Sequence, residues 1–128
     1  MLDHVGIAVA DLARSKDFYL SALAPLGYGL VMEVSAEQTG GGGQAGFGAE
    51  GKGQFWIGTG RPISGQLHIA FGARNRAAVR AFYDAALKAG AKDNGAPGLR
   101  PHYHPNYYGA FVLDPDGHNI EAVCHLPE

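Results

Sequence analysis

The sequence predicts an α+β fold made of two copies of a small βαβββ module that face each other across a shared cup. Three observations predict it: a gapless internal repeat, a helical stretch at the same place in each copy, and short β-rich runs broken by turn residues after each helix.

The repeat is read directly from the residues. His4-Val5-Gly6-Ile7-Ala8 followed by Phe18-Tyr19 is matched by His68-Ile69-Ala70-Phe71 followed by Phe82-Tyr83, at a constant shift of 64. The same shift carries Ala13 onto Ala77 and Ala22-Leu23 onto Ala86-Leu87. Residues 1–64 and 65–128 are therefore two units of one domain, with no linker of note between them.

Each unit opens on a short apolar, β-branched run. In the first unit Leu12, Tyr19 and Leu23 then recur at helical spacing behind Asp11, a residue type that caps helices. Strands are expected over Tyr28 to Val34, around Phe47 and over Gln54 to Ile57, with Gly40 to Gly43 as a flexible hairpin loop or mobile flap. In the second unit Val79, Phe82-Tyr83 and Ala86-Leu87 form the helix, with Asn75 as cap and Gly90 as stop. Strands follow over Tyr107 to Leu113 and Asn119 to Val123, joined by Asp114-Pro115-Asp116-Gly117, whose proline and glycine stand where a tight turn wants them.

Alternation along a strand assigns faces. Val5, Ile7 and Val9 form the bulky row of the first strand, and His4 shares the other row with Leu2, Gly6 and Ala8. His68 likewise lies opposite Leu67, Ile69 and Phe71, beside Ala70 and Gly72. In the last strand Ile120, Ala122 and Cys124 make the apolar row, which places Glu121 on the other face. All three polar residues are expected to look into the cup. Two imidazoles and one carboxylate on rigid strands suit a divalent ion with positions left open; Zn, Ni, Mn, Fe and Co all accept such ligands, and a metal-free cup remains the alternative.

Composition excludes several classes. With 46% hydrophobic residues the 128-residue chain can bury a core, and at a net charge of -2 without a basic run it carries no footprint for nucleic acid or anionic lipid. No stretch approaches the roughly 18 apolar residues of a membrane span, and Met1-Leu2-Asp3-His4 lacks a signal-peptide layout. The single cysteine, Cys124, forms no internal disulfide, so the chain is expected to be soluble and cytoplasmic.

These residues resemble the vicinal oxygen chelate superfamily of glyoxalase I, fosfomycin-inactivating thiol transferases, extradiol dioxygenases and bleomycin-binding proteins. The most specific parts are Asp3-His4-Val5-Gly6-Ile7-Ala8-Val9 with Asp11-Leu12 and Phe18-Tyr19, and Phe111 through Glu121, and the likeness spans the chain. The resemblance implies an incomplete barrel of paired modules, with His4, His68 and Glu121 at the ligand positions, and homodimers in which one site often draws on two chains. It also implies a fourth ligand in glyoxalases, but the repeat shift leads from Glu121 to Ile57, and neither Phe55 nor Trp56 can ligate. Expected activities are those of a glyoxalase-like lyase or isomerase, a thiol transferase or a dioxygenase on a small oxygen-chelating substrate. The alternative is a metal-free binding protein of the bleomycin-resistance type.

Other polar residues complete the expected site. His102 and His104 lie in a proline-flanked loop and are candidates for substrate contact or general-base work, and Glu121 itself is a candidate for proton transfer. Of Tyr107 and Tyr108, adjacent at a strand start, one should face the cup and offer a hydrogen bond to ligand. Arg61 and Arg100 suit a substrate carboxylate or phosphate. Trp56 is expected in the core, with a ligand platform as its other reading, and His118 and His125 are expected in solvent.

Overall fold

The computed structural model describes every residue of the chain except the side chain of Thr39. In chain order its elements are β1 (Val5–Val9), α1 (Leu12–Leu23), β2 (Gly29–Val34), α2 (Ala36–Thr39), β3 (Gln44–Ala49), β4 (Lys52–Thr59), β5 (His68–Gly72), α3 (Arg76–Lys88), β6 (Lys92–Leu99), β7 (Tyr108–Leu113) and β8 (Asn119–Cys124). The two long helices start as the sequence predicts. Asp11 accepts a hydrogen bond from the Arg14 amide at 3.1 Å, and Asn75 accepts one from the Ala78 amide at 2.8 Å, so each cap satisfies an amide the first helical turn leaves free.

The strands form two open four-stranded sheets of identical topology, β1-β4-β3-β2 and β5-β8-β7-β6, and no barrel closes. In each, the first strand pairs in parallel with the last, and the remaining pairs are antiparallel. Duplication is thus visible in the hydrogen bonding as well as in the residues.

One face of each sheet packs on helices. Ile7, Val9, Phe47, Phe55 and Ile57 meet Phe18, Tyr19 and Leu23 of α1, while Phe71, Val112 and Ile120 meet Val79 and Phe82 of α3, all of them buried. Each large apolar side chain so buried contributes about 1.5–3 kcal/mol. The two units join through this layer: α1 packs on α3, and Phe55 meets Phe71 edge-on at 5.3 Å between ring centroids. The expected turn forms, with the Gly117 amide donating to the Asp114 carbonyl at 2.9 Å and Gly117 at φ 85.

Two elements go beyond the sequence expectation. Strand β6 holds Gly95, Pro97 and Gly98; it lies at a sheet edge with its register shifted twice, where a missing amide and absent side chains are tolerated. Helix α2 is a single turn set by a capping box between Ser35 and Gln38, and Gly40, at φ 72, ends it. The tetraglycine run begins as a helix stop, and its residues form the loop expected there, leading into β3.

Candidate ligand and metal site

Glu121 is the polar centre of the second sheet. It sits on β8 between Ala70 of β5 and Phe111 of β7, on the face away from α3, and is fully buried. Its carboxylate is held from both sides: Oε1 lies 2.7 Å from Nε2 of His68, and Oε2 accepts a short hydrogen bond from the Tyr107 hydroxyl. Room for it comes from Gly109, where a Cβ would stand 3.1 Å from Oε2 and 3.2 Å from the Tyr107 ring. Burial, and then the bond to Glu121, pushes the Tyr107 phenol well above the ordinary tyrosine value, so it remains a donor at neutral pH. His68, by contrast, keeps about half of its side chain in solvent. Together with Tyr103, His104, Phe111 and His125 these groups line a hollow of about 420 Å³. The arrangement is a buried carboxylate behind an accessible imidazole.

His4 lies elsewhere in the chain. It precedes β1 and lines a second hollow, of about 510 Å³, on the outer face of the first sheet with Gly6, Gln44, Trp56 and Gly58; on its other side it borders a smaller cleft with Ala70 and Gly72. Its Nδ1 is 2.7 Å from Asp3 Oδ1, and Asp3 Oδ2 accepts from Lys52 Nζ at 2.6 Å. The hydrogen bond from Lys52, followed by that of His4, holds the Asp3 carboxyl below the usual carboxylate range. Nδ1 being engaged by a carboxylate, Nε2 is the nitrogen left to face a ligand, as in many metal-binding histidines.

The donors can be tested against a divalent ion. His68 Nε2 and Glu121 Oε1 are adjacent and of the right chemistry, and His4 is oriented by Asp3 as a ligating imidazole commonly is. Yet among the described residues no group of three His, Cys, Asp or Glu side chains gathers around one point. A single chain thus offers two donors in one hollow and the third in another.

The remaining candidates divide sharply. Tyr107 and His104 line the Glu121 hollow as expected. Tyr108 does not: pleating turns it to the other face, where its ring lies under the guanidiniums of Arg76 and Arg80 and its hydroxyl accepts from Arg80. Arg100 is also engaged, donating to the Gly98 and Ala96 carbonyls at 2.9 and 2.8 Å and resting over Phe111, so its fork is used within β6. His102 packs at a tilt against Tyr103, outside the hollow, and Arg61 is exposed between β4 and β5.

Two expectations are corrected. Trp56 is half-buried on the outer sheet face beside His4, while its neighbours Phe55 and Ile57 fill the core. His118 is buried, because the turn directs its backbone amide to Asp114 and its ring inward. His125 is exposed, as expected, and its ring also stacks on His104, with their Nδ1 and Nε2 2.7 Å apart, at the rim of the Glu121 hollow. The signal for His125 was present, since alternation continued from Glu121 puts residues 123 and 125 on the same face.

Comparison with known proteins follows from this geometry. The sequence profile of the Glyoxalase/Bleomycin resistance protein/Dioxygenase superfamily matches residues 1–122, and the chain belongs to that superfamily. Among solved structures it is similar to a glyoxalase/bleomycin resistance protein from Albidiferax ferrireducens T118, at 27% identity and a TM-score of 0.78, covering 97% of this chain and 98% of that one. It is similar in fold to a glyoxalase/bleomycin resistance protein/dioxygenase family enzyme from Burkholderia phytofirmans PsJN, at 20% identity and TM-score 0.71 over 98% of both chains. Glyoxalase I from Zea mays also shares the fold, at 18% identity and TM-score 0.75, the match covering 99% of this chain and 45% of that one. No curated protein sequence matches. Among the described residues no helix is long and apolar enough to cross a membrane.

Proposed function

We propose that the protein is a divalent-metal-dependent enzyme of the glyoxalase type, acting on a small substrate with adjacent oxygens, in which His68 and Glu121 of one chain and His4 of a second copy hold the ion. The observation that carries this reading is the fully buried Glu121 carboxylate turned to His68 in an open hollow. A buried carboxylate is costly unless paired, so such a group on a rigid strand favours a functional role over a structural one. Open outer faces on both sheets, one presenting His4 and the other His68 with Glu121, support a homodimer that brings unlike faces together.

The ion, when bound, would polarise the substrate's oxygens and stabilise negative charge developing on them. The chain's own residues set the surroundings. Tyr107 keeps Glu121 oriented through Oε2, leaving Oε1 for the imidazole side. Phe111 and Tyr103 give the hollow an aromatic lining, and His104, whose Nε2 meets His125 and whose Nδ1 accepts from the Asn106 amide, stands at its rim.

A metal-free binding protein is the second reading, favoured by the aromatic lining of the same hollow and by the two-donor set of a lone chain. Metal analysis of tag-free protein separates the two. The enzyme reading expects about one ion per chain, lost in His4→Ala, in His68→Ala and in Glu121→Gln. Mixing His4→Ala with Glu121→Gln chains should restore binding, since a mixed dimer regains one intact site. Failure to bind any ion from excess Zn, Ni, Mn, Fe or Co, or retention of the ion by His4→Ala, sinks it.

A further inference from the structure

We infer that Trp56 is the floor of a binding site for a planar aromatic or heteroaromatic ring, beside His4 on the outer face of the first sheet. This deepens the reading above, in which His4 belongs to a substrate cup, by naming the substrate class.

Strand pairing shows what Trp56 replaces. Gly6 pairs with Trp56 as Ala70, its repeat equivalent, pairs with Glu121. Trp56 is thus the structural counterpart of the buried carboxylate, and the residue across from it has changed in compensation: Gly46 faces Trp56 where Phe111 faces Glu121. The first sheet carries its aromatic ring on the strand where the second carries its carboxylate.

The seat of the indole is built by absence of side chains. A Cβ at Gly46 would lie 2.8 Å from Cη2 and Cζ2 of Trp56, and one at Gly53 would lie 2.8 Å from Cζ2, so the ring rests on bare backbone at both positions. Its Nε1 donates to the Gly53 carbonyl at 3.2 Å, which satisfies the polar end within the sheet and fixes the ring plane. What is left to a ligand is the π face. Around it Gly6, Ala8 and Gly58 keep the hollow of about 510 Å³ clear, and His4 and Gln44 stand at its edge as hydrogen-bonding groups. A rigid, half-buried aromatic surface with polar groups at the margin recognises a flat ring bearing oxygen or nitrogen substituents.

Trp56 is the sole tryptophan, so its emission reports on this surface alone. The protein, in chelator-treated buffer, is titrated with catechol and with trans-cyclohexane-1,2-diol, which match in their vicinal oxygens and differ in planarity. Catechol is expected to quench Trp56 saturably, and the diol to leave the emission unchanged. By calorimetry, Trp56→Phe is expected to bind catechol nearly as well as the parent and Trp56→Leu about tenfold more weakly, with circular dichroism verifying that both fold. Quenching by neither compound, equal binding of both, or unchanged catechol affinity in Trp56→Leu overturns the inference. Because the ion is absent from this measurement, ring binding without metal binding would refute the enzyme reading and leave the floor standing, and the reverse result would do the opposite.

Discussion

The Tyr19 hydroxyl donates a hydrogen bond to Oδ2 of Asp114 at 2.5 Å, joining the helix of the first module to the hairpin turn of the second, with both residues buried. The other oxygen of Asp114 accepts the amides of Asp116 and His118, so one carboxylate organises the turn and locks it to α1. Removing the phenol hydroxyl would leave Oδ2 buried without its donor. Tyr19→Phe is therefore expected to destabilise the chain by about 1.5–3 kcal/mol, the usual range for a hydrogen bond to a charged group. Urea unfolding at neutral pH measures it, and a loss below about 0.5 kcal/mol would show the lock to be dispensable.

The same bond predicts an alkaline limit. Burial first, and the Asp114 charge second, push the Tyr19 phenol well above its ordinary value of 10.0. Below that pH folded and unfolded chains both keep the proton, and the contribution is fully present. Above it the unfolded chain ionises while the folded chain does not, so stability falls by up to about 1.4 kcal/mol per pH unit for this one group until Tyr19 itself ionises. Tyr107 and Tyr83 are raised as well and add to the slope. Unfolding free energy followed from about pH 8 to pH 11 should drop more steeply in the parent than in Tyr19→Phe; parallel curves would contradict the assignment.

Glu121 allows stability and ligand chemistry to be separated. Glu121→Gln keeps the shape and an oxygen able to accept from Tyr107, and it removes a charge held in a fully buried place. Its stability is expected to change by less than about 1 kcal/mol, or to rise, while ion binding is lost. A large loss of stability in this variant would mean that the carboxylate serves the fold.

Much of this was legible from periodicity. The repeat located His4 and His68 because one immediately precedes and the other opens the first strand of its module, where the two copies align without a gap, and pleating alone placed Glu121 opposite the helix. The same repeat misled by one residue at the last strand: the shift of 64 pairs Glu121 with Ile57, whereas hydrogen-bond register pairs it with Trp56. A pattern read over β1 and α1 does not see the single residue gained between the helix and the last strand. Residues without a period were the least readable, and β6 was hidden by its glycines and proline. The turn histidine His118 reads as solvent-exposed because nothing local indicates its burial. That His4 and Glu121 occupy different hollows of one chain depends on how the modules pack, and no strand pattern encodes that.

The glycine seat of Trp56 can be removed without touching the indole. In Gly46→Val the new Cβ would stand 2.8 Å from the ring, far inside ordinary contact, and β3 cannot retreat because it is paired on both sides. The ring must swing outward, breaking its bond to Gly53 and gaining water. Emission from the sole tryptophan should move to longer wavelength, and stability should fall by about 1–3 kcal/mol from overpacking. Gly6→Ala is the control, since its Cβ would meet Trp56 Cβ at 3.7 Å, an ordinary van der Waals distance, and should leave the emission where it was. If Gly46→Val keeps the parent's spectrum, the indole does not rest on that glycine; if Gly6→Ala shifts it equally, the effect belongs to the sheet face in general and the seat is not specific to Gly46.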